Sequence, residues 1–560
     1  MPLHPSSFLL PLLLMTAPAH AASLYLCPAE KAPATSLSAG ITTPEGQRLR
    51  AVVGDAAALP GCRKLDLGLD AAQVEAVYPL PAGTKPEQTI LLQGDDSKGA
   101  LDVSEHTLIA ARPEPDPPAP MPFGENLLRS MQARGFGVEE RVTARLEDGR
   151  LRIDCKAGTR PAGVLLRGPW FLPRAQAALQ AGFAGSGEFS WQAADEARAA
   201  REDALDMGSL RAKPKAASGR LLLPAGLERG AWRQFTILCP QGAASLALDA
   251  LSLEPAAATR APRSTWIWSR SEWRERGPAL IDWAAAEGIG EIFITVPLSE
   301  GRVAEPEALG AFIKAAGARG VAVTAVEGDP HMILPDVQAS TAARARAFAA
   351  YNAQADAAAR LKGMQFDVEP YLLPGHVLPV GQRDSRYLEM AAKLREAAGA
   401  MRLEFVVPFW WDGKTALLRE LAKSADALSV MDYRTDPGQI YRFAVPFLDW
   451  AEEHGKEVRI ALEAGPIGAE VQRRYRRADA GAAGDMLLFE LGGQPLLVLL
   501  RQPAAHPQGQ AFTLAGTRKI DGSATTFHGD KEALRRLLPG LERVFGAWKG
   551  FGGIALHEWR

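Results

Sequence analysis

From Ser264 to the end of the chain, strand-like runs alternate with amphipathic helical stretches, and this rhythm limits the fold more than any other feature. The runs are Thr265–Ser269, Glu291–Val296, Val321–Val326, Met364–Glu369, Leu403–Phe409, Ala427–Tyr433, Val458–Glu463 and Gly552–His557. Helical stretches such as 305–319, 339–360, 384–399 and 437–454 separate them. Eight strands alternating with helices over 264–560 predict a (β/α)8 TIM barrel at the C-terminus. A doubly wound open sheet is the other solution, but no glycine-rich phosphate loop follows the first strand. Residues from about 468 to 546 are too many for one ordinary connection. They contain Met486–Leu491 and Pro495–Leu500 around Gly492-Gly493, a predicted hairpin inside an insertion after the seventh strand.

Upstream, the rhythm is that of β structure. Residues 22–111 hold short apolar runs punctuated by Gly and Pro and predict a small β-rich domain. Six prolines fall between Arg112 and Pro122, an extended spacer in which each proline fixes its own φ. Residues 123–257 read as a second β domain whose strand order resembles the jelly-roll sandwiches of carbohydrate-binding modules. Trp170, Phe171, Phe189 and Trp191 could form a sugar platform there, with interior packing the simpler reading.

Residues 1–21 have the form of a secretory signal: an apolar run from Phe8 to Met15, then Ala19-His20-Ala21 as a small-x-small cleavage pattern. The expected location is therefore periplasmic or secreted. No later stretch is apolar for long enough to span a bilayer. In an exported chain, Cys27, Cys62, Cys155 and Cys239 are best read as disulfides; Cys27–Cys62 and Cys155–Cys239 are the local choice among three pairings. With 63 Lys plus Arg against 65 Asp plus Glu, a strongly basic nucleic-acid binder is excluded.

In a barrel of this class the chemistry sits at the C-terminal ends of the strands. Those ends carry Glu327 and Asp329 (third), Asp367 and Glu369 (fourth), Asp412 (fifth), Asp432 (sixth), Glu463 (seventh) and Glu558 (eighth). Single carboxylates there can be helix caps; so many at equivalent positions point to a shared pocket. Trp268 near the first end, Trp410-Trp411 at the fifth and Trp559 after the eighth add aromatic faces, which suit the apolar C–H faces of a saccharide. His331 lies near Asp329, but the nine histidines show no metal-binding spacing, and no metal or other cofactor is expected. No G-x-S-x-G nucleophile elbow is present.

The segment Gly363-Met364-Gln365-Phe366-Asp367-Val368-Glu369 resembles the fourth strand of chitinase-like glycosidases, Asp-Gly-x-Asp-x-Asp-x-Glu. Gly363, Asp367 and Glu369 match, while Lys362 and Gln365 replace the first two Asp. Met431-Asp432-Tyr433 resembles that family's Met-x-Tyr, with Arg434 in place of the usual following Asp. Gly552-Gly553 matches the start of its eighth strand, with His557 where a Trp is usual. The chain also resembles retaining glycosidases that carry the acid/base Glu after strand four and a nucleophilic Glu after strand seven. Glu369-Pro370 and Glu463 occupy those positions, with Val368 where an Asn is usual.

Both resemblances imply a glycoside hydrolase in which Glu369 is the general acid/base. The first implies attack by the substrate's own acetamido group, oriented by Asp367 and Tyr433; the second, direct attack by Glu463. Trp268, Glu327, Asp329, Trp410, Trp411, Asp432, His557, Glu558 and Trp559 are the candidate substrate-binding residues. The expected partner is a polysaccharide or oligosaccharide. The alternative is a non-catalytic carbohydrate-binding or envelope polysaccharide-assembly protein on a glycosidase-like barrel, suggested by Lys362, Gln365 and Arg434. Polysaccharide deacetylation would need a metal site, for which the sequence offers no ligand set.

Overall fold

The computed structural model describes residues 23–28, 41–42, 48–54, 61–65, 67–69, 73–79, 89–95 and 118–560, apart from 138, 199–202, 374–376 and 492–493. The signal-like segment, most of the proline spacer and the Gly492-Gly493 turn lie outside the described residues. Two compact units emerge: one of 1–112, 374–379 and 468–520, the other of 113–373, 380–467 and 521–560.

The first unit joins segments distant in sequence. Ser23–Pro28 is central in a four-stranded sheet with Arg48–Gly54, Arg63–Leu65 and Ile41–Thr42. A six-stranded sheet runs Val74–Pro79, Gln494–Ala504, Gly484–Leu491, Gln510–Ile520, Glu470–Arg477, Thr89–Asp95. Gly484–Leu491 and Gln494–Ala504 pair as an antiparallel hairpin, with Leu491 opposite Gln494. Leu24, Leu26, Val74 and Val77 pack with Leu487, Phe489, Leu496 and Val498 in one core. The stretch read as a barrel insertion and the segment read as a separate N-terminal domain therefore share a sheet and a core. Neither sequence stretch alone supplies both apolar faces that such a packing needs. The return to the second unit at Asp521 comes earlier than the expected end near 546.

In the second unit, residues 118–257 form a β-sandwich-like array. Its spine is the 19-residue strand Ala177–Asp195, which pairs along its length with Ala244–Pro255 and then with Trp232–Leu238. Phe189 and Trp191 are fully buried and belong to its core, whereas Trp170 and Phe171 are only partly covered. Cys27–Cys62 and Cys155–Cys239 are disulfide-bonded, which suits an extracellular protein.

The C-terminal part closes into a barrel of eight parallel strands: β1 (Arg263–Ile267), β2 (Ile289–Ile294), β3 (Ala322–Glu327), β4 (Met364–Phe366), β5 (Leu403–Pro408), β6 (Ala427–Met431), β7 (Glu457–Glu463) and β8 (Phe551–His557). Helices occupy the crossovers, among them α1 (Gln338–Gln354) after β3, α2 (Pro437–His454) after β6 and α3 (Lys531–Phe545) before β8. Trp266, Phe293, Val326, Val406, Met431, Ala461 and Ala555 fill the interior, one side chain from most strands. No described helix is long and apolar enough to cross a membrane.

Below that layer lies a buried ionic network. Arg459 Nη2 donates to Glu291 Oε2 (2.6 Å), and its Nη1 donates to Gly552 O (3.0 Å). Arg459 Nε lies 3.3 Å from Glu404 Oε1, and Lys362 Nζ donates to Glu291 Oε2 (2.6 Å). Gln365 accepts from Trp266 Nε1 (2.6 Å) and donates to Glu404 (2.8 Å) and Ser429 (3.2 Å). Lys362 and Gln365, the departures from the chitinase-like pattern, are thus both engaged by carboxylates of other strands. Burial alone would raise the Glu291 carboxyl, but the Arg459 and Lys362 charges outweigh it and hold it below its ordinary range.

Candidate active site at the barrel mouth

Side chains alternate between the two faces of a strand, so the inward parity is set by Trp266, Gln365, Met431, Ala461 and Ala555. Two residues further along each strand direction come Trp268, Asp367, Tyr433, Glu463 and His557, with Glu369 one more step beyond Asp367. Contacts bear this out. His557 Nδ1 bonds Glu463 Oε2 (2.8 Å), and Trp268 Nε1 donates to His557 Nε2 (3.2 Å). The Tyr433 ring stacks on His557 at 6.0 Å, and Trp266 meets it edge-on at 5.8 Å.

Asp367 continues the β3–β4 ladder through its backbone N–H, which donates to Glu327 O (2.8 Å). Its Oδ1 is buried and has no hydrogen-bond partner among the described residues. Burial first, then the nearby Glu369 charge, push the Asp367 carboxyl up to about 7, with His557 pulling weakly the other way. The Tyr371 hydroxyl donates to Glu369 Oε2. Burial and the Glu369 charge raise the Tyr371 phenol, so it keeps the proton it donates. Tyr371 in turn meets Trp410 edge-on at 5.2 Å.

Glu463 is occupied at both oxygens. Besides the His557 bond, its Oε1 accepts from Gly465 N (2.6 Å). A side chain at Gly465 would put Cβ 2.4 Å from Glu558 Cβ and 3.0 Å from Glu463 Oε1, so only glycine permits this approach. Burial raises Glu463, yet the His557 bond and charge and the backbone donors overcome it and hold the carboxyl low. Burial likewise lowers His557, and Glu463 more than reverses it. Each partner thus favours the charged form of the other. Tyr433 is raised by burial and then by the surrounding Glu463, Asp367, Glu369 and Glu558 charges.

Other residues grouped with the mouth from the sequence are placed elsewhere. Glu327 follows Val326 and so faces outward, where its Oε1 pairs with Arg344 of α1 (2.5 Å). Asp432 falls between inward Met431 and Tyr433. It is fully buried, has no partner for either oxygen among the described residues, and Arg434 is the charge that acts on it. Asp329 caps the turn Pro330–Ile333 and bonds His331 N and Nδ1 (both 2.8 Å). The Trp410-Trp411 pair splits: Trp410 is 50% exposed, Trp411 is 3% exposed and packs edge-on against Tyr387. Trp559 is nearly covered, its Nε1 bonded to Glu287 (3.2 Å), but it shares a cleft of about 350 Å³ with Trp268, Glu558 and Arg276. Glu558 holds a left-handed φ of 49°, a strained conformation for a side-chain-bearing residue, at the end of β8. Among the described residues no group of three or more His, Cys, Asp or Glu is arranged to hold a metal.

Sequence reasoning passed over Tyr371, Tyr387 and the Glu291–Arg459–Glu404 network. Ionisable residues inside otherwise apolar strand runs were the available signal for the network.

No family model and no curated protein matches the chain. Among solved structures, a family 29 carbohydrate-binding module complexed with mannohexaose is 13% identical, covering 22% of this chain and 81% of its own, with a TM-score of 0.19. The CBM22-1–GH10 modules of the Clostridium thermocellum endo-1,4-β-D-xylanase 10B, complexed with xylohexaose, are 8% identical, covering 62% of this chain and 81% of their own, with a TM-score of 0.26. At this level of likeness the chemistry has to be read from the side chains themselves.

Proposed function

We propose that this is an exported glycoside hydrolase of the (β/α)8 class acting on a polysaccharide that carries 2-acetamido sugars. The observation that carries the reading is the Asp367/Glu369 pair: two carboxyls two residues apart at one strand end, one pushed up to about 7, with Tyr433 buried among their charges. Below that pH the pair retains one proton, as an acid/base site working on a neutral ether oxygen needs. Glu369 protonates the glycosidic oxygen as the C1–O bond breaks. It then takes a proton from the water that completes hydrolysis.

The occupied state of Glu463 favours substrate assistance over a protein nucleophile. Both of its oxygens accept charge-assisted or backbone bonds, which lowers its reactivity and suits it to orient His557. The acetamido oxygen then attacks C1, positioned by Asp367 and Tyr433.

The test is a product assay with the full chain over a panel of polysaccharides that includes amino-sugar polymers. Glu369→Gln should reduce turnover by at least 10³-fold while leaving glycan binding within a fewfold. Undiminished turnover would remove Glu369 from the mechanism. Binding without cleavage by the unaltered protein would establish the carbohydrate-binding alternative.

A further inference from the structure

Two cavities adjoin strand ends on opposite sides of the barrel. The cleft at Trp268 and Glu558 adjoins the ends of β1 and β8. A second cavity, of about 340 Å³, lies beside the end of β5, across the closed barrel from β1. Its walls come from two parts of the second unit. Phe409, Trp410 and Asp412 follow β5, and Arg442, Phe443 and Pro446 belong to α2. Pro118, Pro120 and Phe171 come from the proline segment and the sandwich.

These walls are fixed in place. Ala119–Pro120 pairs with Trp170–Phe171, Met121 N donates to Phe171 O (2.9 Å), and Tyr441 of α2 donates to Met121 O (2.7 Å). The Phe409 and Phe443 rings lie 4.5 Å apart, and the Arg434 guanidinium sits 4.4 Å over Phe409. Arg434 also donates to its neighbour's carbonyl, Tyr433 O (2.7 Å). The residue that departs from the chitinase-like motif thus braces this aromatic wall.

Trp410 connects the cavity to the chemistry. It lines the cavity, and its ring meets Tyr371, whose hydroxyl is bonded to Glu369. Aromatic faces, prolines and two polar groups at the edge suit a sugar ring: apolar stacking surfaces with a few orienting hydrogen-bond partners. The volume is at the low end for small-molecule sites and accommodates a ring rather than a long segment.

We propose that this cavity is a pyranose subsite for the portion of the glycan beyond the scissile bond on the β5 side. The sandwich and the proline segment then complete the substrate cleft, and a chain held on both rims is cut internally. This rests on the acid/base reading of Glu369 for cleavage, but the binding part stands independently of it.

The experiment uses the full chain carrying Phe171→Ala, with Phe443→Leu as a milder variant that removes a ring face but keeps an apolar side chain. N-acetylglucosamine oligomers of two to six units are the probes. The hexamer-to-trimer ratio of kcat/KM should fall about tenfold in both variants, with products shifting from internal to terminal cuts. An unchanged ratio overturns the proposal. In a Glu369→Gln background, hexamer binding followed by tryptophan fluorescence should weaken about tenfold on adding Phe171→Ala. Equal binding with and without Phe171, or no hexamer binding at all, overturns the subsite whatever the fate of Glu369. Weakened binding in a protein that never cleaves would retain the subsite and refute the hydrolase reading alone.

Discussion

Replacing Asp367 by Asn separates what the barrel mouth costs in stability from what it does. In the fold this carboxyl titrates at about 7, against 3.8 ordinarily, because burial and the Glu369 charge disfavour its ionised form. Between roughly pH 4 and 7 the native state holds a proton that the unfolded chain has released. Stability contributed at this site therefore falls as pH rises through that window, and the penalty is complete above about 7. Three units at about 1.4 kcal/mol each set a ceiling of about 4 kcal/mol; partial solvent contact reduces it to about 2–4 kcal/mol. Asn has the same shape and no charge. Asp367→Asn should thus be more stable than the unaltered protein at pH 8 by about 2–4 kcal/mol, nearly equal at pH 4, and much less pH-dependent between. All twelve tryptophans lie in the second unit, so denaturant unfolding followed by tryptophan fluorescence at pH 4, 6 and 8 reads that unit. The same substitution should abolish turnover, the signature of a group kept for function against stability. Parallel pH dependences for the two proteins would refute the reasoning, because the raised carboxyl would then not be at Asp367.

Asp449 of α2 accepts from Trp548 Nε1 (2.7 Å) and from Arg174 N of the sandwich (2.8 Å), and burial pushes its carboxyl up to about 7. Asp449→Asn keeps an acceptor for both donors, so its thermal midpoint should exceed that of the parent at pH 8 and match it at pH 5; a lower midpoint at pH 8 would contradict this. Arg459→Met should cost about 3–5 kcal/mol in denaturant unfolding, because Glu291 and Glu404 would be left buried with their main counter-charge gone. Turnover should fall as pH rises through about 7, where Asp367 loses its proton; a pH–rate profile still rising beyond pH 8 would exclude it from the reaction.

The barrel was legible because its signal is local. Each strand run had to be apolar on both faces, and each helix had to show one apolar stripe, so eight alternations stand out without any tertiary information. Every expected barrel strand is present, with ends displaced by only a few residues; the fourth, Met364–Phe366, is the shortest. The first unit was not legible, for the opposite reason. Val74–Pro79 and Thr89–Asp95 find their partners some 400 residues away, at 470–504, and short strands carry no mark of which distant edge they will join. The proline segment misled in a similar way. Its composition describes a spacer, but Pro120 and Met121 are held by strand pairing and by Tyr441, contacts that depend on the folded surface of α2.

The candidate site shows the same division at finer scale. Reading the strand ends singled out acidic residues, but position along a strand does not decide which face a side chain takes. Parity does: Val326, Gln365 and Met431 face inward, which sends Glu327 and Asp432 out and brings Asp367 and Tyr433 in. That parity was partly available from the sequence, since Asp367 and Glu369 are two apart and Asp432 and Tyr433 are adjacent, so at most one of the latter could reach the mouth. Lys362 and Gln365 looked like losses from a catalytic motif when read along one strand. Across strands, Glu291 and Glu404 stand opposite them, and Arg459 closes the charge balance. The acids missing from β4 are matched by acids on β2 and β5, so the motif departs in sequence while the barrel floor retains a balanced set of charges. A substituted motif is evidence of decay only when its replacements are left without partners, and these two are not.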